Sequence, residues 1–319
     1  MRRIMLACVA LALCFAMASG ISAGERKNYK IALVLKSLTN PAIKAIADGV
    51  EATAKEMGVD ITILSSQGFS ALEEQINQVE DVIQRKMDII GIEPVDSKGI
   101  IPVIEEANAK NIPIIAVDTG ADGGKLVTFI ATDNFNAGKI AGEWLAKEVG
   151  SGKVAMIEGT PGSQQGRDRR NGFHEVITAK NGIQLVASIA ANFERVKGME
   201  VMEDILTANP DLKGVFCAND EMALGALETL RQRGSIGKVK IIGMNGAPDA
   251  LLSAYQGEIQ ATVVQYSEYM GEMFVRCAVD YLENKRDFPE FIDTGVGVAD
   301  TKFVQKLFGS FDMVPVLSK

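Results

Sequence analysis

The chain has 319 residues, of which 47% are hydrophobic and 23% charged, with 31 glycines and nine prolines. It is too apolar to be disordered and long enough for two compact units rather than one. A formal charge of −8 argues against nucleic acid as a partner, and a lone histidine, His174, argues against a zinc site or Ser-His-Asp chemistry.

Met1-Arg2-Arg3, the apolar run from Ile4 to Ala18 and the small residues up to Ile21-Ser22-Ala23 have the three-part layout of a secretory signal peptide. Residues 1–23 are therefore expected to be removed, with export to the periplasm. The apolar run is shorter than the roughly 20 residues a membrane span needs. Cys8 and Cys14 leave with this segment, whereas Cys217 and Cys277 are expected as buried free thiols rather than a disulfide.

Short apolar runs alternate with longer amphipathic stretches along the rest of the chain. A strand over 30–35 leads to a helix in which Asn40 caps, Pro41 takes the first position and Ile43, Ile46, Ala47, Val50 and Ala54 form one stripe. Strands at 60–64, 88–92 and 113–117 follow, separated by helices at 71–85 and 97–110, then a strand at 127–131. A helix at 134–149 opens a second series. In it, strands at 153–158, 184–190, 214–217, 239–244 and 260–264 alternate with helices at 164–179, 195–208 and 221–233, and a helix at 267–284 comes last. The strands are rich in Ile and Val with little alternation, as strands covered on both faces of a parallel sheet should be. The fold class is thus α/β, with two doubly wound parallel sheets of about five strands each, since ten in one open sheet is near the limit. The joint is expected near Thr132-Asp133-Asn134, where no Pro/Ser-rich tether occurs.

Ligands of open parallel sheets bind beyond the carboxyl ends of the strands. The residues just past those ends are Lys36, Asn40, Glu93, Asp118, Arg167 at its helix start, Phe193, Asn219, Asn245 and Gln265. Amides, carboxylates and a guanidinium offer paired donors and acceptors for vicinal hydroxyls, and an aromatic face covers the C–H surface of a ring. The set suits a neutral, hydroxyl-rich small molecule. Each residue also has a plain structural reading: Asn40 and Asn219 as helix caps, Asp118 and Asn245 as turn residues, Phe193 as core, and Lys36 paired with Glu93. The sequence lacks a P-loop, Gly-x-Ser-x-Gly, His-Glu-x-x-His and a dinucleotide glycine motif after the first strand. No catalytic residue, cofactor or metal is expected, and Glu93 with Asp118 as a glycosidase pair is the remote alternative.

The sequence resembles the ribose-type periplasmic sugar-binding proteins that serve ABC importers. The resemblance is carried by Ile31-Ala32-Leu33-Val34-Leu35 with Asn40-Pro41, by Asp133-Asn134 with Gly138-Lys139-Ile140-Ala141-Gly142, and by Asn219-Asp220-Glu221-Met222-Ala223-Leu224-Gly225-Ala226. Gly243-Met244-Asn245-Gly246 and Gln260-Ala261-Thr262 leading to Gln265 extend it. It implies two lobes joined by three hinge strands, 24–132 with 265–293 and 133–264 with 294–319, that close on a sugar or polyol. It also implies ligand contacts at Asn40, Asp118, Arg167, Phe193, Asn219, Asn245 and Gln265, a membrane permease as partner, and a chemoreceptor as a further one. Departures from the family pattern are Ala42 and Ile43 in place of aromatics, Thr119 in place of an arginine and Asn245 in place of an aspartate. Lys36 and Glu93 add charges where small polar groups are usual, so ribose is not expected to be the best ligand and an amino sugar is the charged alternative.

Overall fold

The computed structural model describes residues 27–284 and 286–308. The expected signal segment lies outside them. All ten strands read from the apolar runs are present, within a few residues of the expected ends, together with two short strands near the carboxyl end.

They form two six-stranded sheets. The first holds β1 (Lys27–Leu35), β2 (Val59–Ser65), β3 (Ile89–Ile92), β4 (Ile114–Val117), β5 (Thr128–Ala131) and the late β11 (Phe291–Asp293), ordered β11-β5-β4-β3-β1-β2 and parallel throughout. The second holds β6 (Gly152–Glu158), β7 (Ile183–Ala190), β8 (Gly214–Cys217), β9 (Lys240–Asn245), β10 (Ala261–Gln265) and β12 (Val296–Asp300). Its order is β12-β10-β9-β8-β6-β7, and only the β10–β12 pair is antiparallel.

Ten helices cover these sheets among the described residues. Helices α1 (Pro41–Met57), α2 (Leu72–Gln84), α3 (Ile101–Ala109) and α9 (Ser267–Asn284) lie on the first. Helices α4 (Asn134–Val149), α5 (Gln164–Ala179), α6 (Arg195–Ala208), α7 (Asp220–Gln232), α8 (Pro248–Gln256) and α10 (Thr301–Phe308) lie on the second.

Strand β1 shows why its run is continuously apolar. Ile31, Leu33 and Leu35 pack on one face with Ile46, Val50 and Phe274, while Ala32 and Val34 pack on the other with Val79, Val82 and Ile104. Successive side chains of a strand point to opposite faces, so both must be apolar when helices cover both. Helix α1 begins as its sequence directs: Asn40 Oδ1 accepts from the Ala42 and Ile43 N–H groups, and Gly58 at φ +67° closes the end. Helix α3 starts later than the pattern suggests. The Asp96 carboxylate takes the Lys98 and Gly99 N–H groups, and the Ser97 N–H is bonded to Gly162 O of the other lobe.

The chain changes sheets three times: between β5 and α4, between β10 and α9, and between β11 and β12. Two of these crossings are tied to each other. Thr132 Oγ1 donates to Gly295 O at 3.2 Å, the Thr294 N–H to Ala131 O at 3.0 Å, and the Asp133 N–H to Asp293 Oδ1 at 3.2 Å. Cys217 and Cys277 are free and buried, and burial pushes both thiols up, Cys277 to about 11.

Candidate functional site

A cavity with about 270 Å³ of empty space lies between the two sheets, beyond the carboxyl ends of their strands. The first lobe contributes Asn40, Ala42, Ile43, Ile46, Phe69, Glu93 and Asp118, the second contributes Gln165, Arg169, Phe193, Asn219 and Asn245, and Gln265 comes from the crossing at the end of β10. Seven of the nine residues expected from the sequence therefore meet here. Lys36 stands behind Glu93, and Arg167 does not reach the cavity.

Arg167 is instead held at the rim, where its guanidinium donates to Gly162 O at 2.9 Å and to both Asp122 oxygens at 2.7 Å. The arginine in the cavity is Arg169, only 1% exposed. Its Nε donates to Asn134 Oδ1 at 2.8 Å, Nη1 to Ala218 O at 2.7 Å and Nη2 to Gln265 Oε1 at 3.0 Å. Burial lowers this guanidinium to about 10, while the charges of Asp118 and Asp220 act in the opposite direction. Two residues along a helix is about 200° of rotation, so Arg167 and Arg169 face opposite ways. Gly138 and Gly172 set which of them faces inward. A side chain on either would collide with backbone, at Arg169 O or Phe135 O respectively, so the two glycines bring α4 and α5 into close contact.

Asp118, at φ +60° just past β4, joins the lobes. Its Oδ2 accepts from Gln165 Nε2 at 2.7 Å, and its Oδ1 accepts from Gln265 Nε2 at 3.5 Å. Gln265 thus carries a relay from Arg169 to Asp118. Asn219 is both cap and scaffold: Oδ1 accepts from the Met222 N–H and Nδ2 donates to Phe193 O at 3.0 Å. That second bond holds Phe193 at φ +63°, next to Asn192 at φ +54°. Two successive residues in the left-handed region, one of them bulky, are strained and mark a functional position. The Phe193 ring stands 5.6 Å from that of Phe69, tilted by 48°, and the Arg169 guanidinium lies 5.9 Å from its centroid.

Asn245 is set by a buried bracket on the second lobe. Asp220 accepts from the Ala247 N–H and from Thr262 Oγ1, each at 2.7 Å, and Thr262 Oγ1 accepts from the Gly246 N–H at 3.2 Å. Burial raises the Asp220 carboxyl to about 6. Asn245 Oδ1 is buried without a hydrogen-bond partner.

On the first lobe, Lys36 and Glu93 pair, both essentially buried, with Nζ 3.3 Å from Oε1. Lys36 Nζ also donates to Thr119 Oγ1 at 2.6 Å and lies 4.0 Å from Asp118. Glu93 Oε2 accepts from the Lys36 N–H at 3.1 Å, while Oε1 accepts no hydrogen bond. Burial raises the Glu93 carboxyl to about 8 despite the opposing charge of Lys36. Glu93, Asp118, Lys36 and Arg169 make two acids and two bases around the cavity, a set whose charges cancel only where Glu93 is ionised, above about pH 8.

Phe69, Gln165 and Arg169 are absent from the residues picked by sequence. Phe69 lies in the loop after β2, where reading past that strand as well would have found it. Gln165 and Arg169 carry no such signal, because the seat of α5 on α4 selects them.

The cleft between two similar parallel-sheet lobes defines the class, and comparison with known proteins agrees. Residues 31–286 match the family model described as periplasmic binding protein domain, and the chain belongs to that family of solute-binding proteins, which bind ligands and are not enzymes. It is 38% identical over 266 residues to the ribose import binding protein RbsB of Bacillus subtilis (strain 168), covering 83% of this chain and 85% of that one. Among solved structures it is similar to a periplasmic solute-binding protein of an ABC transporter from Actinobacillus succinogenes 130z with bound D-allose. The TM-score is 0.82 and the identity 32%, over 88% of this chain and all of that one. A solute-binding protein from Bacillus halodurans C-125 with bound myo-inositol gives a TM-score of 0.82 at 25% identity, over 91% of this chain and all of that one.

Proposed function

We propose that this protein captures a neutral sugar or polyol between its lobes and delivers it to an ABC importer. The observation that carries this reading is the cavity itself: set between the lobes, bordered by two aromatic rings and lined by hydrogen-bonding groups of both lobes. Asn40, Glu93, Asp118, Arg169, Phe193, Asn219, Asn245 and Gln265 contact the ligand, Lys36 supports Glu93, and Arg167 acts at the rim. The lobes are 24–132 with 265–293 and 133–264 with 294–319, a division that the three changes of sheet support. The chain is exported to the periplasm by cleavage of residues 1–23, and the closed form also offers a surface to a chemoreceptor.

An amino sugar is the second reading, favoured only by Glu93 Oε1, which faces the cavity without accepting a hydrogen bond. Both are tested by the melting temperature of ligand-stripped protein, residues 24–319, against pentoses, hexoses, polyols, cyclitols and amino sugars. A ligand at 1,000 times its dissociation constant adds about 4 kcal/mol of stability. A strong shift with a neutral member, and a weaker one with ribose, is expected. A shift with amino sugars alone selects the second reading, and no shift with any member refutes both.

A further inference from the structure

We infer that Glu93 is the specificity-determining acceptor of the cavity, taking a hydroxyl hydrogen of a neutral ligand on Oε1 while Asn245 Oδ1 takes another from the opposite lobe. This rests on the sugar-or-polyol reading and adds which groups select among such ligands. Two buried acceptors without hydrogen-bond partners line one cavity, one from each lobe. Buried polar atoms in native proteins are nearly always bonded, so an unpartnered one at a site marks where a ligand atom belongs. Neither oxygen accepts a hydrogen bond, Glu93 Oε1 having only the charge of Lys36 Nζ 3.3 Å away, so a ligand with two hydroxyl donors would serve both. Ring hydroxyls supply them.

Several other lining groups are already bonded. Arg169 spends its Nε, Nη1 and Nη2 on Asn134, Ala218 and Gln265, and Asp118 accepts from Gln165 and Gln265. Asn219 is bonded at both ends. In Glu93, Oε2 is fixed by the Lys36 N–H, while Oε1 is ion-paired with Lys36 Nζ at 3.3 Å and accepts no hydrogen bond. Lys36 thus orients the side chain, and Oε1 keeps the capacity to accept a hydroxyl hydrogen. Lys36 and Asp118 are the charged groups that face it within its own lobe, with Arg169 across the cleft beyond Asp118. An ammonium at Oε1 would stand beside the Lys36 ammonium, 3.3 Å from the same oxygen, whereas a hydroxyl adds no charge. A ligand carboxylate there would meet Glu93 directly.

The test is calorimetry of wild type and Glu93→Gln with D-allose, D-ribose, myo-inositol and the monodeoxy derivatives of D-allose. Above about pH 8, where the Glu93 carboxyl is ionised, Glu93→Gln is expected to weaken the best neutral ligand at least tenfold, a loss typical of a hydrogen bond to a charged group. One deoxy derivative should bind wild type and variant equally, because it lacks the hydroxyl that Glu93 accepts. Wild-type affinity should also rise as the pH is raised towards about 8, where the Glu93 carboxyl ionises. The derivative missing that hydroxyl should show no such rise, a measurement that needs no variant. Equal losses for every ligand, or no loss with the parent sugar, would overturn the Glu93 assignment while leaving the sugar reading intact. Failure of wild type to bind any of these neutral compounds would overturn the sugar reading and this inference together.

Discussion

Arg167 and Asp122 clamp the two lobes together without lining the cavity. One guanidinium nitrogen lies 2.7 Å from both Asp122 oxygens, with Asp122 after β4 of the first lobe and Arg167 on α5 of the second. Beside them the Ser97 N–H is bonded to Gly162 O, Gln164 N–H to Ser97 Oγ and Gly120 N–H to Gln164 Oε1. This rim is a latch, and it acts on closure rather than on recognition.

Asp122→Asn should therefore weaken all ligands by the same factor. The pair is about a quarter exposed on each side, so its worth is about 0.5–1 kcal/mol, a two- to fivefold change in affinity, mostly through faster release. Stopped-flow release rates of two different ligands give the answer. A change in their ratio would show that the rim reads the ligand.

Arg169→Met should behave quite differently. Removing this buried guanidinium strips Asn134, Ala218 and Gln265 of their donor and leaves Asp118 without its cationic counterpart across the cleft. A loss of about 3–5 kcal/mol in folding stability is expected, together with loss of ligand binding. Denaturant unfolding beside Arg167→Met separates the two positions, because the rim variant should lose less than about 1 kcal/mol. Equal losses would refute the division between cavity and rim.

Ligand-free protein should become less stable as the pH rises from about 4.5 towards about 8. Burial raises Glu93 to about 8 and Asp220 to about 6, so the folded state holds their protons more tightly than the unfolded chain does. Their stabilising contribution is complete below the ordinary carboxylate range and is lost as each ionises in the fold. Glu93→Gln should flatten the upper part of this fall. Taking the difference between wild type and variant removes the effect of His174, whose lowered pKa acts in the other direction. Denaturant midpoints across the range decide the matter, and identical slopes for the two proteins would mean that Glu93 ionises at its ordinary pKa.

The two aromatic walls should respond unequally. Phe193 is 2% exposed and belongs to the core of the second lobe, whereas Phe69 is half-buried in a loop. Phe193→Ala should cost about 3 kcal/mol of stability as well as affinity, and Phe69→Ala chiefly affinity. Thermal unfolding of the ligand-free variants distinguishes these effects. A large loss of stability in Phe69→Ala would make that ring part of the fold rather than of the site.

The sequence revealed the central strands because helices on both sides force unbroken Ile and Val runs. It did not reveal β11 and β12, which are three and five residues long, at the edges of their sheets, and only partly buried. Helices α8 and α10 are also short, at nine and eight residues, and escaped for the same reason. Most cavity residues were readable because parallel strands end on one side. The choice between Arg167 and Arg169 was not, since it depends on how α5 rotates against α4, a tertiary contact set by Gly138 on one helix and Gly172 on the other. Lys36 and Glu93 were visible as paired charges, but which Glu93 oxygen takes the Lys36 N–H and which takes the ammonium was not.

The enclosure of the cavity also makes it a gauge. A glycoside or disaccharide could satisfy the same side chains with its first ring, yet its second ring would hold Ser97 and Gly120 away from Gly162 and Gln164. Such a molecule would occupy the protein without letting the rim meet. A permease that recognises only the shut form would then ignore it, so a tightly held but oversized molecule acts as an inhibitor of import rather than as cargo.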